Sequence, residues 1–150
     1  MDYKNIINPG LIILFSDVNK KKDVLDQLIT LAQKKGNIRD IKTLTEKIFY
    51  REELMSTGMG LGIAIPHVRF EGVKKPVIAI GIQPDGVKDY KSIDDKPIKI
   101  IVLIIAGKNQ HKEHITLMAQ IVKKLKSGQT IDDLVKADSV NKIFDILTGE

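Results

Sequence analysis

The chain has 150 residues, which favours one domain over residues 1–150 and suffices to bury about 70% of the unfolded surface without a disulfide or metal. Hydrophobic residues make up 43% and charged residues 29%, ordinary for a globular protein; the absence of cysteine excludes disulfide frameworks, thiolate metal sites and a cysteine nucleophile. The net charge of +5 is dispersed in lysine doublets among acidic residues, and aromatics are only 5%, so no nucleic-acid partner is expected.

The opening MDYKNIINPG has no basic start followed by a long apolar stretch, so no leader is read there and a cytoplasmic location is expected. The longest apolar run, Ile100 to Ala106, is far short of the ~20 residues a membrane helix needs.

Leu11 to Phe15 follows Pro9-Gly10 and predicts a first strand. Asn19 is the expected N-cap of a helix from Lys20 to Lys35, with Val24, Leu25, Leu28, Leu31 and Ala32 on its apolar face and Gly36 as its stop. A second helix is expected from Asp40 to Leu54, striped by Ile41, Leu44 and Ile48 and ended by Ser56-Thr57-Gly58. Gly62 to Pro66 and Pro76 to Ile82 read as strands. Pro84-Asp85-Gly86 signals a turn into polar loop or edge. Lys99 to Ala106 is an unbroken apolar strand, expected to be buried on both faces. A long helix should run from Gln110 to Lys126, with Met118, Ile121, Val122 and Leu125 facing inward. Thr130 is the expected cap of Ile131 to Ala137, and Ser139 that of Val140 to Leu147. The order fits an α/β fold whose helices cover both faces of a mixed sheet.

The stretch GMGLGIAIPHVR, residues 58 to 69, holds the densest chemistry. Gly58-x-Gly60-x-Gly62 is not a dinucleotide fingerprint, because Ile63 stands where a third glycine is needed and the loop leads into a strand. What remains is a tight turn or an anion-binding nest of backbone amides. His67 ends the apolar run after Pro66, either as an idle surface residue or as a nucleophile or general base. His114 falls on the inward stripe of the long helix, within its first turn, where it can reach a site at the sheet edge. His111 lies at or before the helix start and is expected to be exposed. Together the three histidines give a weak zinc-hydrolase alternative, although the spacing is not that of a HExxH pair and no fourth ligand is evident.

The run REELMSTGMGLGIAIPH, Arg51 to His67, resembles the active-site signature of phosphotransferase-system IIA domains of the fructose/mannitol and nitrogen-regulatory type. DDKPIKIIVLIIA and HITLMAQIVKKL resemble the family's following segments in the same order, so the likeness spans nearly the whole chain. The resemblance implies a single-domain α/β sandwich with a mixed β-sheet flanked by helices on both faces. It implies a phosphocarrier whose phosphorylated residue is His67, as a tele-phosphohistidine, with Arg51 and His114 as active-site partners and Thr57 near the phosphate. On that account the amides of Gly58, Gly60 and Gly62 take phosphate oxygens, and no metal or cofactor is needed. The implied donor is the phosphohistidine carrier HPr or its nitrogen-branch counterpart. The implied acceptor is a separate IIB protein, linked in turn to a membrane IIC component. A role in sugar uptake and a regulatory role through phosphorylation-dependent binding both fit the family. Val68 and Leu61 stand where the family often has small or polar residues.

The chemistry suits a histidine. A neutral imidazole can be phosphorylated directly, provided a hydrogen bond from its other ring nitrogen, for example to a backbone carbonyl, selects the tautomer. The rest is positioning and charge stabilisation, for which an arginine fork is well shaped.

Overall fold

The computed structural model describes residues 1–149. Two short 3-10 turns, Tyr3–Asn5 and Pro9–Leu11, lead into strand β1, Ile12–Leu14. Helices α1 (Lys21–Lys35) and α2 (Ile41–Leu54) follow, then the short strands β2 (Gly58–Gly60), β3 (Ile63–Ala64) and β4 (His67–Phe70). Two long strands, β5 (Val77–Val87) and β6 (Ile98–Gly107), are followed by α3 (His111–Leu125), α4 (Thr130–Lys136) and α5 (Val140–Thr148).

The sheet runs in the order β1-β5-β6-β3-β2, with β4 pairing further along the same edge of β6. It is mixed: β5 is antiparallel to β6 and parallel to β1, while β3 and β4 both lie parallel to β6. Alternation along β6 sends Ile101, Leu103 and Ile105 to one face, against α1 and α2, and Ile100, Val102 and Ile104 to the other, against α3, α4 and α5. Only Lys99 interrupts the burial of this strand. Each fully buried aliphatic side chain contributes roughly 1.5–3 kcal/mol, so the isoleucine-rich centre holds the two layers together. The α/β sandwich expected from the sequence is therefore the fold observed.

Several local expectations need correction. Asn19 does not cap α1; the N-cap is Lys20, and the amide of Lys21 donates instead to Asp89 Oδ1 at 2.8 Å. Ile29 is buried in that helix, whereas Leu31 is only partly so. Ile41, expected on the apolar stripe of α2, is 37% exposed, while Leu44 and Ile48 are buried. The inward face of α3 is His114, Leu117, Ile121 and Leu125, with Met118 and Val122 packing at its margin. Thr130 is the first residue of α4 rather than its cap. The turn read at Pro84-Asp85-Gly86 lies inside β5, as a break in register between Ile82 and Val87 with Gly86 at φ +89°. Such a bulge satisfies turn residues without ending the strand. Gly62 to Pro66 is not one strand: β3 covers only Ile63–Ala64, and His67 opens a separate strand, β4. Ser139 caps its helix as expected, accepting from the amide of Lys142, while Asp40, expected as the first residue of α2, is its N-cap and accepts from the amide of Thr43.

Candidate active site

His67 is held by the break between β3 and β4. Ile65 and Pro66 belong to neither strand. Ile65 donates its amide to Thr57 O at 3.3 Å, and Pro66 O accepts from the amide of Ile104 at 3.0 Å. The carbonyl of Ile65 thus stays free of the ladder, and it lies 2.7 Å from Nδ1 of His67. A carbonyl only accepts, so a neutral His67 carries its proton on Nδ1 and leaves the Nε2 lone pair bare. The half-buried ring is backed by Ile63, Ala64 and Ile65, all 3% exposed or less.

His114 comes to the same place from the first turn of α3. The two imidazole rings meet edge to face with centroids 5.1 Å apart. His114 is 7% exposed and its Nε2 has no hydrogen-bond partner. Burial first, then the charges of His67, Arg69 and His111, hold its pKa down to about 4, so it is neutral at pH 7. A buried ring nitrogen without a partner is costly, and an anion arriving at His67 would relieve that cost.

Arg51, in the last turn of α2, completes the hollow. One guanidinium nitrogen donates to Met55 O at 2.8 Å, tethering the side chain across the end of its own helix. Arg51, His67 and His114 line one cavity of about 390 Å³ with Val68, Arg69, His111, Ile115 and Met118. Arg69 and His111 are thus two further cationic or ionisable groups at the site. Arg69 lies two residues after His67 in a strand, which places both on one face, and it is anchored to Lys108 O at 3.3 Å.

The structure does not bring the other expected residues to this hollow. Thr57 is engaged elsewhere: its hydroxyl donates to Glu52 and lies 2.8 Å from Tyr90 Oη, while its amide donates to Glu52 Oε1 at 3.2 Å. Glu52 is 5% exposed and pairs with Lys21 Nζ at 3.1 Å, and that ammonium sits 4.2 Å from the Tyr90 ring centroid. Burial, and then Glu52, push the Tyr90 hydroxyl well above the usual phenol range. The amides of the glycine loop are also occupied. Gly58 donates to Ser56 Oγ at 3.2 Å, Gly60 to Ser92 Oγ at 3.0 Å, and Leu61 to Asp94 Oδ2 at 3.0 Å. The anion this nest holds is the carboxylate of Asp94, whose pKa is lowered by the amides of Leu61 and Lys96. Gly62 lies at φ +76° and accepts through its carbonyl from the amides of Lys99 and Ile100. Gly58, Gly60 and Gly62 therefore shape the turn, and none lines the histidine hollow.

Among the described residues, no three His, Asp or Glu side chains are gathered as a metal-binding group, so the zinc alternative has no ligand set. Nor, among them, is any helix long and apolar enough to cross a membrane.

Residues 5–149 match the family model described as phosphoenolpyruvate-dependent sugar phosphotransferase system, EIIA 2. The chain is 32% identical over 98% of its length to the fructose-specific EIIABC component of Bacillus subtilis, of which it spans only 23%. It is 30% identical over 96% of its length to a nitrogen regulatory protein of Pseudomonas aeruginosa, covering 93% of that protein. The crystal structure of the nitrogen regulatory protein IIA-Ntr from Neisseria meningitidis superposes with a TM-score of 0.87 at 27% identity, over 97% of this chain and 99% of that one.

Proposed function

The chain belongs to the EIIA type 2 family of the phosphoenolpyruvate-dependent sugar phosphotransferase system, and from that premise we propose that it is a phosphocarrier charged on Nε2 of His67. The donor is the phosphohistidine of an HPr-type carrier, and the acceptor is a IIB protein. One observation carries the assignment: the 2.7 Å contact between His67 Nδ1 and the Ile65 carbonyl, which makes Nε2 the nucleophilic nitrogen in a hollow shared with Arg51 and His114.

In this reading the Nε2 lone pair attacks phosphorus as the donor's P–N bond breaks. The breaking bond's electrons return to the donor imidazole, which leaves neutral because its other ring nitrogen carries a proton, and the His67 proton stays on Nδ1, donated to the Ile65 carbonyl, so no proton changes hands. The three equatorial oxygens carry the charge. Arg51, with donors left after its bond to Met55, takes oxygens through its fork. Neutral His114 donates from Nε2, which has no partner before the phosphate arrives. Arg69 adds positive charge at the rim.

Incubation with enzyme I, HPr and phosphoenolpyruvate tests this. Label should be acid-labile and base-stable, absent in His67→Ala and retained in His111→Ala. Label that survives His67→Ala overturns the site. Arg51→Ala should slow transfer at least ~10-fold, as loss of a charge-stabilising donor does, with an unchanged melting transition.

A regulatory role is the second reading. It is favoured by the superposition on the nitrogen regulatory protein IIA-Ntr at a TM-score of 0.87; coverage does not separate the two readings, because a fructose-specific EIIA component of Haloferax volcanii is also matched over 94% of its length. In the transport reading the phosphorylated chain discharges to a sugar-type IIB protein. In the regulatory reading no IIB protein discharges it, and its phosphorylation state instead changes what it binds.

A further inference from the structure

A second hollow of about 940 Å³ lies away from the histidines and shares no lining residue with their pocket. Its size falls in the range of roughly 300–1,000 Å³ common to small-molecule sites. The end of α1, the start of α2 and the connection from β4 to β5 enclose it. Three sharp reversals shape the walls: Asn37, Asp40 and Gly72 all have positive φ, at 50°, 62° and 90°.

The lining is strongly cationic. Lys35 and Arg39 stand on the α1–α2 side, Lys74 and Lys75 on the β4–β5 connection, and Lys47 rises from α2. Among the described residues none of these five makes an ion pair. Only Asp40 and Glu71 oppose them, and the Asp40 carboxylate is already engaged, accepting from the amide and hydroxyl of Thr43 at 3.2 and 2.7 Å. Unpaired cations around a concavity focus positive potential into it and concentrate anions there. Between the two banks the floor is apolar, formed by Leu11, Phe70 and Val77, with Lys47 Nζ 5.8 Å from the Phe70 ring centroid.

We propose that this hollow binds a small organic bisphosphate, one phosphate on the Lys35/Arg39 bank, the other on the Lys74/Lys75 bank, and the carbon skeleton over the apolar floor. The arginine supplies a fork that matches two phosphate oxygens, and the lysines act as point charges. This site does not use the histidine pocket, so it stands or falls independently of the phosphocarrier reading.

Calorimetric titration of the full chain at physiological salt tests it, with a hexose bisphosphate, a hexose monophosphate, inorganic phosphate and an oligoglutamate peptide as probes. The bisphosphate should saturate one site, and each other probe should bind at least tenfold more weakly. Arg39→Gln combined with Lys75→Gln should weaken the bisphosphate at least tenfold; both side chains are exposed, so the variant should melt like the parent. His67→Ala should bind as the parent does. Equal, salt-suppressed uptake of every anion overturns the site, as does tighter binding of the peptide or an affinity indifferent to Arg39 and Lys75.

Discussion

Phosphorylation of His67 should move the titration of His114. In the free protein burial and its charged neighbours hold the His114 pKa down to about 4. The rings are 5.1 Å apart, centroid to centroid. At about that distance and an effective dielectric of about 20, a unit charge interacts by ~3 kcal/mol. Each ~1.4 kcal/mol is one pKa unit, and a phosphoryl group carries about −1.5 to −2 charges near neutrality. The imidazolium form of His114 is therefore favoured by at least ~2 units, which brings its midpoint from about 4 to ~6 or above. Nitrogen-15 spectra of histidine-labelled protein, titrated downward from pH 8.5, read this directly. His67→Gln, carried through the same phosphorylation reaction, supplies the control. A His114 midpoint that moves by less than half a unit on phosphorylation would refute contact between the phosphate and His114. A midpoint near 6.5 in the free protein would refute the effect assigned to burial.

The same depressed pKa makes stability depend on pH. Between about 4 and 6.5 the unfolded chain binds a proton at His114 that the folded chain does not, so stability falls as pH drops through that window, by ~1–2 kcal/mol for a ring that opens onto solvent on one side. His114→Leu should flatten the fall in urea unfolding; an unchanged slope assigns it to other groups. Glu52→Ala should cost ~2–3 kcal/mol, less than the loss from a fully buried pair because the Lys21 side chain is 21% exposed, and Lys21→Met in the same chain should recover part of it. A cost below ~1 kcal/mol would mean the Glu52 network holds nothing in place. Gly58→Ala places a Cβ 2.0 Å from Lys91 O and 2.9 Å from Ser92 Cα, backbone that must move, and should cost at least ~2 kcal/mol by overpacking. Parental stability in that variant would show that β2 shifts freely.

The long elements could be read from sequence because their apolar periodicity is set locally. The helix ending at Leu54, the apolar strand through Ile101 and Leu103, and the Ser139 cap all rest on neighbouring residues. What failed depended on remote partners. Asp89 caps α1 from across the fold, and β6 decides where β3 stops and β4 begins. The site divides the same way. His67 and His114 stand out from their local setting, Arg51 only through the family resemblance, and the three share one hollow. Arg69 became recognisable once residues 67–70 were known to be extended. The glycine loop shows a run of amides in sequence, but not that Ser92 and Asp94 occupy them. Nor does sequence show that Glu52, in a charged helical turn, is buried against Lys21 and Tyr90.

The partner that orients His67 is a main-chain carbonyl, and this has a consequence for how the site tolerates change. A carboxylate in that position would titrate, and one point mutation would remove it. The Ile65 carbonyl has no pKa in the accessible range and survives every side-chain substitution at position 65. Its availability depends on the break in the ladder at Ile65-Pro66, where proline supplies no amide hydrogen. The orientation of the nucleophile is thus encoded in chain geometry rather than in the chemistry of a neighbouring side chain. It should persist through sequence drift around the ring and be lost chiefly when a change at Pro66 lets β3 run on into β4.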